Sequence, residues 1–327
     1  MNQLITVQAA ADLIRQGVAL SLAGPESELD QLPAGNWIAG TSPYFMVSSG
    51  CLVSNQGQLF VTDLSAIGKV SFASYGAEEL AGISGNAPDN GFALTVIPAG
   101  STTLQKFAAD AADFEGAFIK PAVGWIAGIH LSQLGKQTPK VYDGRTATKY
   151  EDRAVVAYVE LPDDKIASIE IVNLFEPDQG DTLHFNDTSF TVGDCEVNGK
   201  TVNFASYLHQ HGLADGKLPL VGDFAGAHIN VSLQQVGAPG STVALYAPVF
   251  PGVNYHFAKP VADYAKAFRQ RLADQDKQGL LLSCNCILNF VFGELEGKSI
   301  GAVEGPITFG EIGYQLLNQT MVMLKIS

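Results

Sequence analysis

The residues best suited to chemistry lie towards the C-terminus. Glu311 stands between Gly310 and Gly313, beside Thr308 and Phe309. In such a Gly-rich turn one carboxylate and several backbone N–H groups can converge with little side-chain obstruction, which suits an amino group and its neighbouring polar atoms. The same glycines also serve backbone angles, with Glu311 capping or pairing locally. Upstream, Cys284-Asn285-Cys286 falls in an apolar run. Read as a strand over 279–289, it carries Leu280, Leu282, Cys284 and Cys286 on one face and Ser283, Asn285 and Asn289 on the other. Thiols two residues apart on a strand are badly placed for a disulfide and too few for a metal cage, so they read as buried and inert. A central strand presenting Ser and Asn must meet water, pair elsewhere or line a pocket. Ser283 and Asn285 are therefore candidate ligand contacts.

The histidines leave alternatives open. His209-Gln-His211 precedes Gly212 after the helix-compatible segment 204–208, where imidazoles suit the last helical carbonyls, although the pair is also a potential set of two metal ligands. His256, between Tyr255 and Phe257 in a stretch rich in Pro and Gly, is the better isolated histidine for a pocket, with a structural role as the alternative. Thr41 and Ser42 follow a strand and offer hydroxyls to a cleft; Asn318 and Thr320 stand at the entry to the last strand, where one side chain can satisfy backbone. Gly293-Glu-Leu-Glu-Gly297-Lys298-Ser299 is not a phosphate loop, because it has three residues between the glycines and two of them are acidic. Gly-x-Gly-x-x-Gly, Gly-x-Ser-x-Gly and His-Glu-x-x-His do not occur.

The elements that must position these residues alternate between helix and strand. Thr6 caps a helix with Val7, Ala10, Ala11 and Ile14 on one face, and Gly17 stops it before a strand over 18–22. Trp37 to Gly40 is a strand, and runs around 51–53 and 58–64 flank Asn55-Gln-Gly57, a hairpin signal. A buried strand at 91–98 precedes a helix capped by Ser101, whose Leu104, Phe107, Ala108, Ala111 and Phe114 recur at helical spacing. Residues 133–152 are polar and read as an exposed excursion near a lobe boundary. From 154 the pattern is β-rich, with strands at 154–161, 166–174, 181–185 and 189–192 reading as a meander, and Asn186-Asp187 and Asn198-Gly199 as tight turns. Strands follow at 228–234 and 241–248, then a helix from Pro260 with Val261, Tyr264, Ala265, Phe268 and Leu272 inward, and a closing strand at 320–326. The expectation is a mixed α/β protein of two lobes, 1–152 and 153–327, with mixed, largely antiparallel sheets under outer helices.

Composition bounds the partners. With 46% hydrophobic and 16% charged residues in 327, a packed core is affordable and disorder is not the main state. The net charge of −14 is spread evenly, 16 acidic against 9 basic residues in 1–163 and 17 against 10 in the remainder. Nucleic acid and anionic membrane surfaces are poor partners for that field. Four scattered cysteines and an N-terminus without a basic-then-apolar leader suggest a reduced, cytoplasmic protein, and no apolar run has the length of a membrane span.

The order of features in the C-terminal third resembles the FIST domain, a bacterial and archaeal sensory domain. The stretch 181–208 with its Glu196-Val-Asn-Gly-Lys200 turn is similar to the opening of the family's C-terminal half, and 228–249 to its next strand pair. Residues 280–289 resemble its strand ending in an apolar, Ser, Cys signature. Gly305-Pro-Ile-Thr-Phe-Gly-Glu-Ile-Gly313 with Leu317-Asn-Gln-Thr320 is similar to its terminal Gly-Glu-Ile and Asn-x-Thr pattern. In the N-terminal half, 37–42 resembles a strand and small polar turn. Ile287 stands where the family often has an arginine, so an anion contact from that arginine is absent.

The resemblance implies a sensory module for a small polar metabolite, an amino acid or small carboxylate, signalling through a protein partner or its own oligomer. Thr41, Ser42, Ser283, Asn285, Thr308, Phe309, Glu311, Asn318 and His256 are the expected ligand contacts, with no catalytic residue and no metal assigned. A hydrolase using Cys284 or Ser283 with a histidine is one alternative. A haem-binding gas sensor, as some members of that family are, with His209, His211 or His256 as axial ligand, is the other. No other cofactor is expected.

Overall fold

Thr6 acts as the cap that its position suggests. Its Oγ1 accepts from the Ala9 amide at 3.2 Å at the start of helix Val7–Arg15, and Gly17 follows the helix at φ 83°. Ala10, Ala11 and Ile14 pack with Leu20, Leu22, Trp37 and Leu59 beneath that helix. The computed structural model describes residues 2–54, 57–273, 277–301 and 303–327. Strands outweigh helices, and the fold is mixed α/β with both mixed and antiparallel sheets.

The chain divides into two units that are not consecutive in sequence: Met1–Val172 with Ala265–Leu316 and Met321–Ser327, and Asn173–Tyr264 with Leu317–Thr320. A boundary at 152/153 therefore does not match the observed one. Strand Ala154–Glu160 is hydrogen-bonded on one side to Lys69–Tyr75 and on the other to Gly91–Pro98, and this long-range pairing ties it to the first unit.

The first unit holds three six-stranded sheets, each with one parallel pair: Leu20–Gly24 with Trp37–Thr41, Gly91–Pro98 with Ala122–Ala127, and Leu280–Cys286 with Gly305–Thr308. Each parallel pair is joined by a crossover that includes a helix, as parallel strands require. The apolar runs flanking Asn55 do not form a hairpin. Gly50–Val53 pairs with Tyr44–Val47, whereas Gln58–Asp63 lies in another sheet between Asn2–Thr6 and Leu20–Gly24; Asn55 and Gln56 themselves lie outside the described residues. The segment 133–152 is only partly an excursion, because Val141–Asp143 is buried and pairs with Trp37–Thr41. Ser101 caps helix Thr102–Asp110, which gives way to a 3-10 turn before Phe114.

The second unit contains a six-stranded and a three-stranded sheet around Leu183, Phe185, Phe204, Leu208, Leu220 and Tyr255. Asn198 at φ 50° and Gly199 at φ 78° form the tight turn between Asp194–Val197 and Lys200–Asn203, as their types suggest. The expected meander does not form, because Ser189–Val192 pairs with Val243–Val249 while Leu183–His184 pairs with strands of the other sheet. Strand 228–234 is two strands, Ala227–Val231 and Leu233–Val236, which change sheet at the buried Ser232. Helix Tyr264–Ala273 begins four residues after Pro260, so Val261 precedes it and is only half-buried, while Tyr264, Ala265, Phe268 and Leu272 are buried.

Candidate functional site

Strand Leu280–Cys286 runs between Thr320–Ile326 and Gly305–Thr308, so it is central, and its residues from Leu282 to Cys286 are buried. Its alternation holds, but it ends at Cys286 and the chain turns directly into helix Ile287–Phe292. Asn289 is therefore on a helix rather than on the polar face of the strand. One turn after the junction, its Nδ2 donates to Asn285 Oδ1 at 3.0 Å. The Nδ2 of Asn285 is buried with no hydrogen-bond partner among the described residues. On the same face, Asn285 stands opposite Ile307, and Ile307 opposite Tyr44, whose ring lies 5.4 Å from that of Phe290. The orphan donor thus sits in apolar surroundings, where an unmade hydrogen bond is costly.

Cys284 points to the opposite face. Its Sγ lies 3.5 Å from the Gly124 carbonyl, and burial, with the negative charge of Glu311 adding to it, pushes the thiol well above its ordinary range. Glu311 is fully buried, and its Oε1 accepts from Thr308 Oγ1 at 3.2 Å; the same hydroxyl is 3.4 Å from the Asn285 carbonyl. The backbone of this turn is occupied: the Phe309 amide donates to the Ile126 carbonyl and the Gly310 carbonyl accepts from the Ile126 amide, at 2.9 and 2.8 Å. The Phe309 ring fills the place where a Cβ on Gly128 would be.

The expected contacts are therefore not one constellation. Thr308 and Glu311 meet on the Cys284 face, while Asn285 joins Asn289 on the other. Ser42 is held to the same strand as Thr308, its Oγ donating to the Ile307 carbonyl at 2.6 Å. Ser283 Oγ donates to the Glu304 carbonyl at 2.7 Å, and Thr41 Oγ1 accepts from the Lys140 amide at 3.0 Å. Asn318 and His256 belong to the second unit. There Asn318 Oδ1 accepts from the Ser232 amide at 2.9 Å and from its hydroxyl at 2.5 Å. Gln319 Oε1 also lies 2.5 Å from that hydroxyl, and Asn230 and Asn173 form a reciprocal amide pair at 3.0 Å. This buried network escaped the reading of the sequence. The available signal was the shared parity of Asn230 and Ser232 in an apolar stretch.

His211 does cap its helix, its Nδ1 lying 2.8 Å from the Tyr207 carbonyl, whereas His209 Nε2 reaches the Gly237 carbonyl at 2.9 Å. His256 Nδ1 is buried with no hydrogen-bond partner among the described residues. Among those residues no three His, Cys, Asp or Glu side chains are grouped to hold a metal ion, and no helix is long and apolar enough to cross a membrane.

Residues 5–327 match the model of the family described as a family of unknown function, DUF6976. The chain belongs to that family. No curated protein matches it. The match spans both units, so the divided first unit and the inserted second unit are encompassed by one family pattern.

Proposed function

We propose that this chain is a non-enzymatic binding module for a small polar metabolite, an amino acid or small carboxylate, acting in a sensory role through a partner or its own oligomer. The FIST resemblance of 181–208, 228–249, 280–289 and 305–320 supports the sensory part. The observation that carries the binding part is the unsatisfied Nδ2 of Asn285, a buried donor whose partner must be a hydrogen-bond acceptor such as a carboxylate oxygen. Entry requires local opening, because Ser42, Ser283, Asn285, Thr308 and Glu311 are all fully buried. The hydrolase reading gains nothing from Cys284, whose protonated thiol is a poor nucleophile.

A thermal-shift screen of the whole chain against amino acids, small carboxylates and haemin, with an absorption spectrum recorded first, tests this. A dose-dependent rise with one carboxylate-bearing class, abolished in Asn285→Ala, is the expected result. Glu311→Gln then reports whether the opposite face contributes: a weaker shift with an unchanged ligand-free melting temperature assigns it to the site, and a collapsed ligand-free fold assigns it to structure. No shift with any class would remove the metabolite reading, and a Soret band on adding haemin would replace it.

A further inference from the structure

Strand Ala167–Asn173 lies at the end of its six-stranded sheet, so only one of its edges is paired, with Thr320–Ile326. Just before it, Ile166 and Ser327 exchange both backbone bonds, amide to carbonyl at 3.0 Å in each direction. In an antiparallel ladder this fixes the alternation: Ser168, Glu170 and Val172 turn their backbone groups towards Thr320–Ile326, and Ala167, Ile169 and Ile171 turn theirs away from it. Two other end strands of the first unit are closed. On Lys69–Tyr75, Arg145 donates to the Phe72 carbonyl at 2.7 Å and Arg153 to the Ser74 carbonyl at 3.1 Å, and Gly50–Val53 is bonded through Cys51 to Gly297 and Lys298. Among the described residues nothing comparable closes the edge of 167–171.

Apolar side chains along this edge reach solvent, Ile166 being 65% and Ile171 40% exposed. An edge of this kind invites another strand unless charge, proline or a bulge prevents it. The one charge on it, Glu170, is paired within its own chain to Lys325 at 2.7 Å.

The order of the side chains indicates what that other strand is. Ile166-Ala-Ser-Ile169-Glu-Ile-Val172 has the same polarity in both directions about Ile169. Laid antiparallel to a copy of itself centred there, Ile169 faces Ile169, Ala167 faces Ile171, Ile166 faces Val172 and Ser168 faces Glu170. Apolar then meets apolar, polar meets polar, no like charges are opposed, and the outward backbone groups of Ala167, Ile169 and Ile171 all find partners. Neighbouring registers lose this: centring on Glu170 opposes two carboxylates, and centring on Ser168 sets Ile166 against Glu170.

We propose that two copies of this chain join along this edge, each strand Ala167–Asn173 antiparallel to its counterpart about a two-fold axis at Ile169. Such a contact uses both edges and stops at a dimer. It names the oligomer of the proposed function and rests on that reading only for its purpose, because the association needs no metabolite.

Sedimentation velocity of the whole chain without metabolite, from about 1 to 200 µM in about 0.15 M salt, where charges beyond about 8 Å are largely screened, tests this. The mass should rise from one chain to two and go no further. Ile169→Pro removes an N–H that faces away from Thr320–Ile326, a change that edge strands accept, and should give a monomer with a nearly unchanged melting temperature. The exposed Ser168 reads the register. Because each substitution meets Glu170 of the other copy twice across the axis, Ser168→Glu should weaken the dimer about tenfold and Ser168→Lys should tighten it. A monomer at every concentration would overturn the proposal, including the case in which the edge takes a strand of a different protein. So would a mass that keeps rising past two chains, a dimer indifferent to Ile169→Pro, or the same effect from both Ser168 variants. Should Ile169→Pro fail to fold, the opposite signs of the Ser168 variants still decide. A dimer that shows no thermal shift with any metabolite would keep this surface and remove only the binding reading.

Discussion

The Nδ2 of Asn289 donates to the Oδ1 of Asn285 at 3.0 Å across the junction where strand Leu280–Cys286 becomes helix Ile287–Phe292. This bond makes a strand residue and a helix residue one polar pair in an apolar setting. It uses the acceptor of Asn285 and leaves the donor of that amide unmet.

Asn285→Ala should lower the stability of the ligand-free chain by about 1–3 kcal/mol, since the buried Asn289 amide loses this acceptor and a small cavity remains. Urea unfolding of the two proteins measures it. A loss under about 0.5 kcal/mol would mean that the pair contributes no more than a surface substitution does.

Ser232→Ala should cost a similar amount, about 1–3 kcal/mol, because the hydroxyl's one proton serves an acceptor, Asn318 Oδ1 or Gln319 Oε1, in the interior of the second unit, although Asn318 Oδ1 keeps the Ser232 amide. Hydrogen exchange offers a local readout: amides of Leu317–Thr320 should lose protection, whereas those of helix Val7–Arg15 in the first unit should not. Uniform loss across both regions would contradict a local role.

Acid should weaken the ion-pair network of Glu26, Asp30, Lys140 and Lys149. Burial alone raises both carboxyls, but hydrogen bonds from Lys149, with Lys140 on Glu26 and Tyr142 on Asp30, outweigh it and hold both below their ordinary values. A carboxyl depressed by folding stabilises above its unfolded value, and that stability disappears as pH falls through the folded one. Lys149→Met should therefore be less stable than wild type at neutral pH, by under about 1 kcal/mol per partly exposed pair. The difference should shrink below about pH 4.5. A difference that stays constant through acid unfolding titrations would show that charge is not its source.

Native alkylation should leave the thiols untouched. Burial pushes Cys51 and Cys195 up to about 12 and Cys284 well above its ordinary value. Iodoacetamide at about pH 8 should modify these three cysteines in urea but not in buffer, as mass spectrometry would show. Rapid native labelling of Cys284 would reopen the nucleophile reading.

Gly128→Val should destabilise the chain because its side chain would occupy the place of the Phe309 ring. Phe309→Ala in the same molecule should recover part of that loss. Thermal melts of the two single variants and the double variant form the cycle, and strict additivity would show that the two positions do not compete for space.

Local chemistry was legible wherever it involved neighbours in the chain. Thr6 and Ser101 reveal their capping roles because an Ncap side chain reaches an amide three residues on, and Asn198-Gly199 reveals its turn because both residues tolerate positive φ. The alternation of Ser283, Cys284, Asn285 and Cys286 was equally readable. Where the strand stopped was not, because a short apolar stretch such as 287–292 fits strand or helix until its packing is known.

The sequence by itself thus determined the mixed α/β class, the caps and turns, and which side chains share a strand face, all consequences of backbone preference and side-chain period. Only the tertiary structure decided that Gly50–Val53 and Gln58–Asp63 belong to different sheets, that Ala154–Glu160 completes the first unit, and that Leu317–Thr320 enters the second. It also decided that Asn285 and Glu311 are buried on opposite sides of one strand. The reason is that strand pairing and burial are set by partners far away in the chain, and residue type constrains only the local half of that choice.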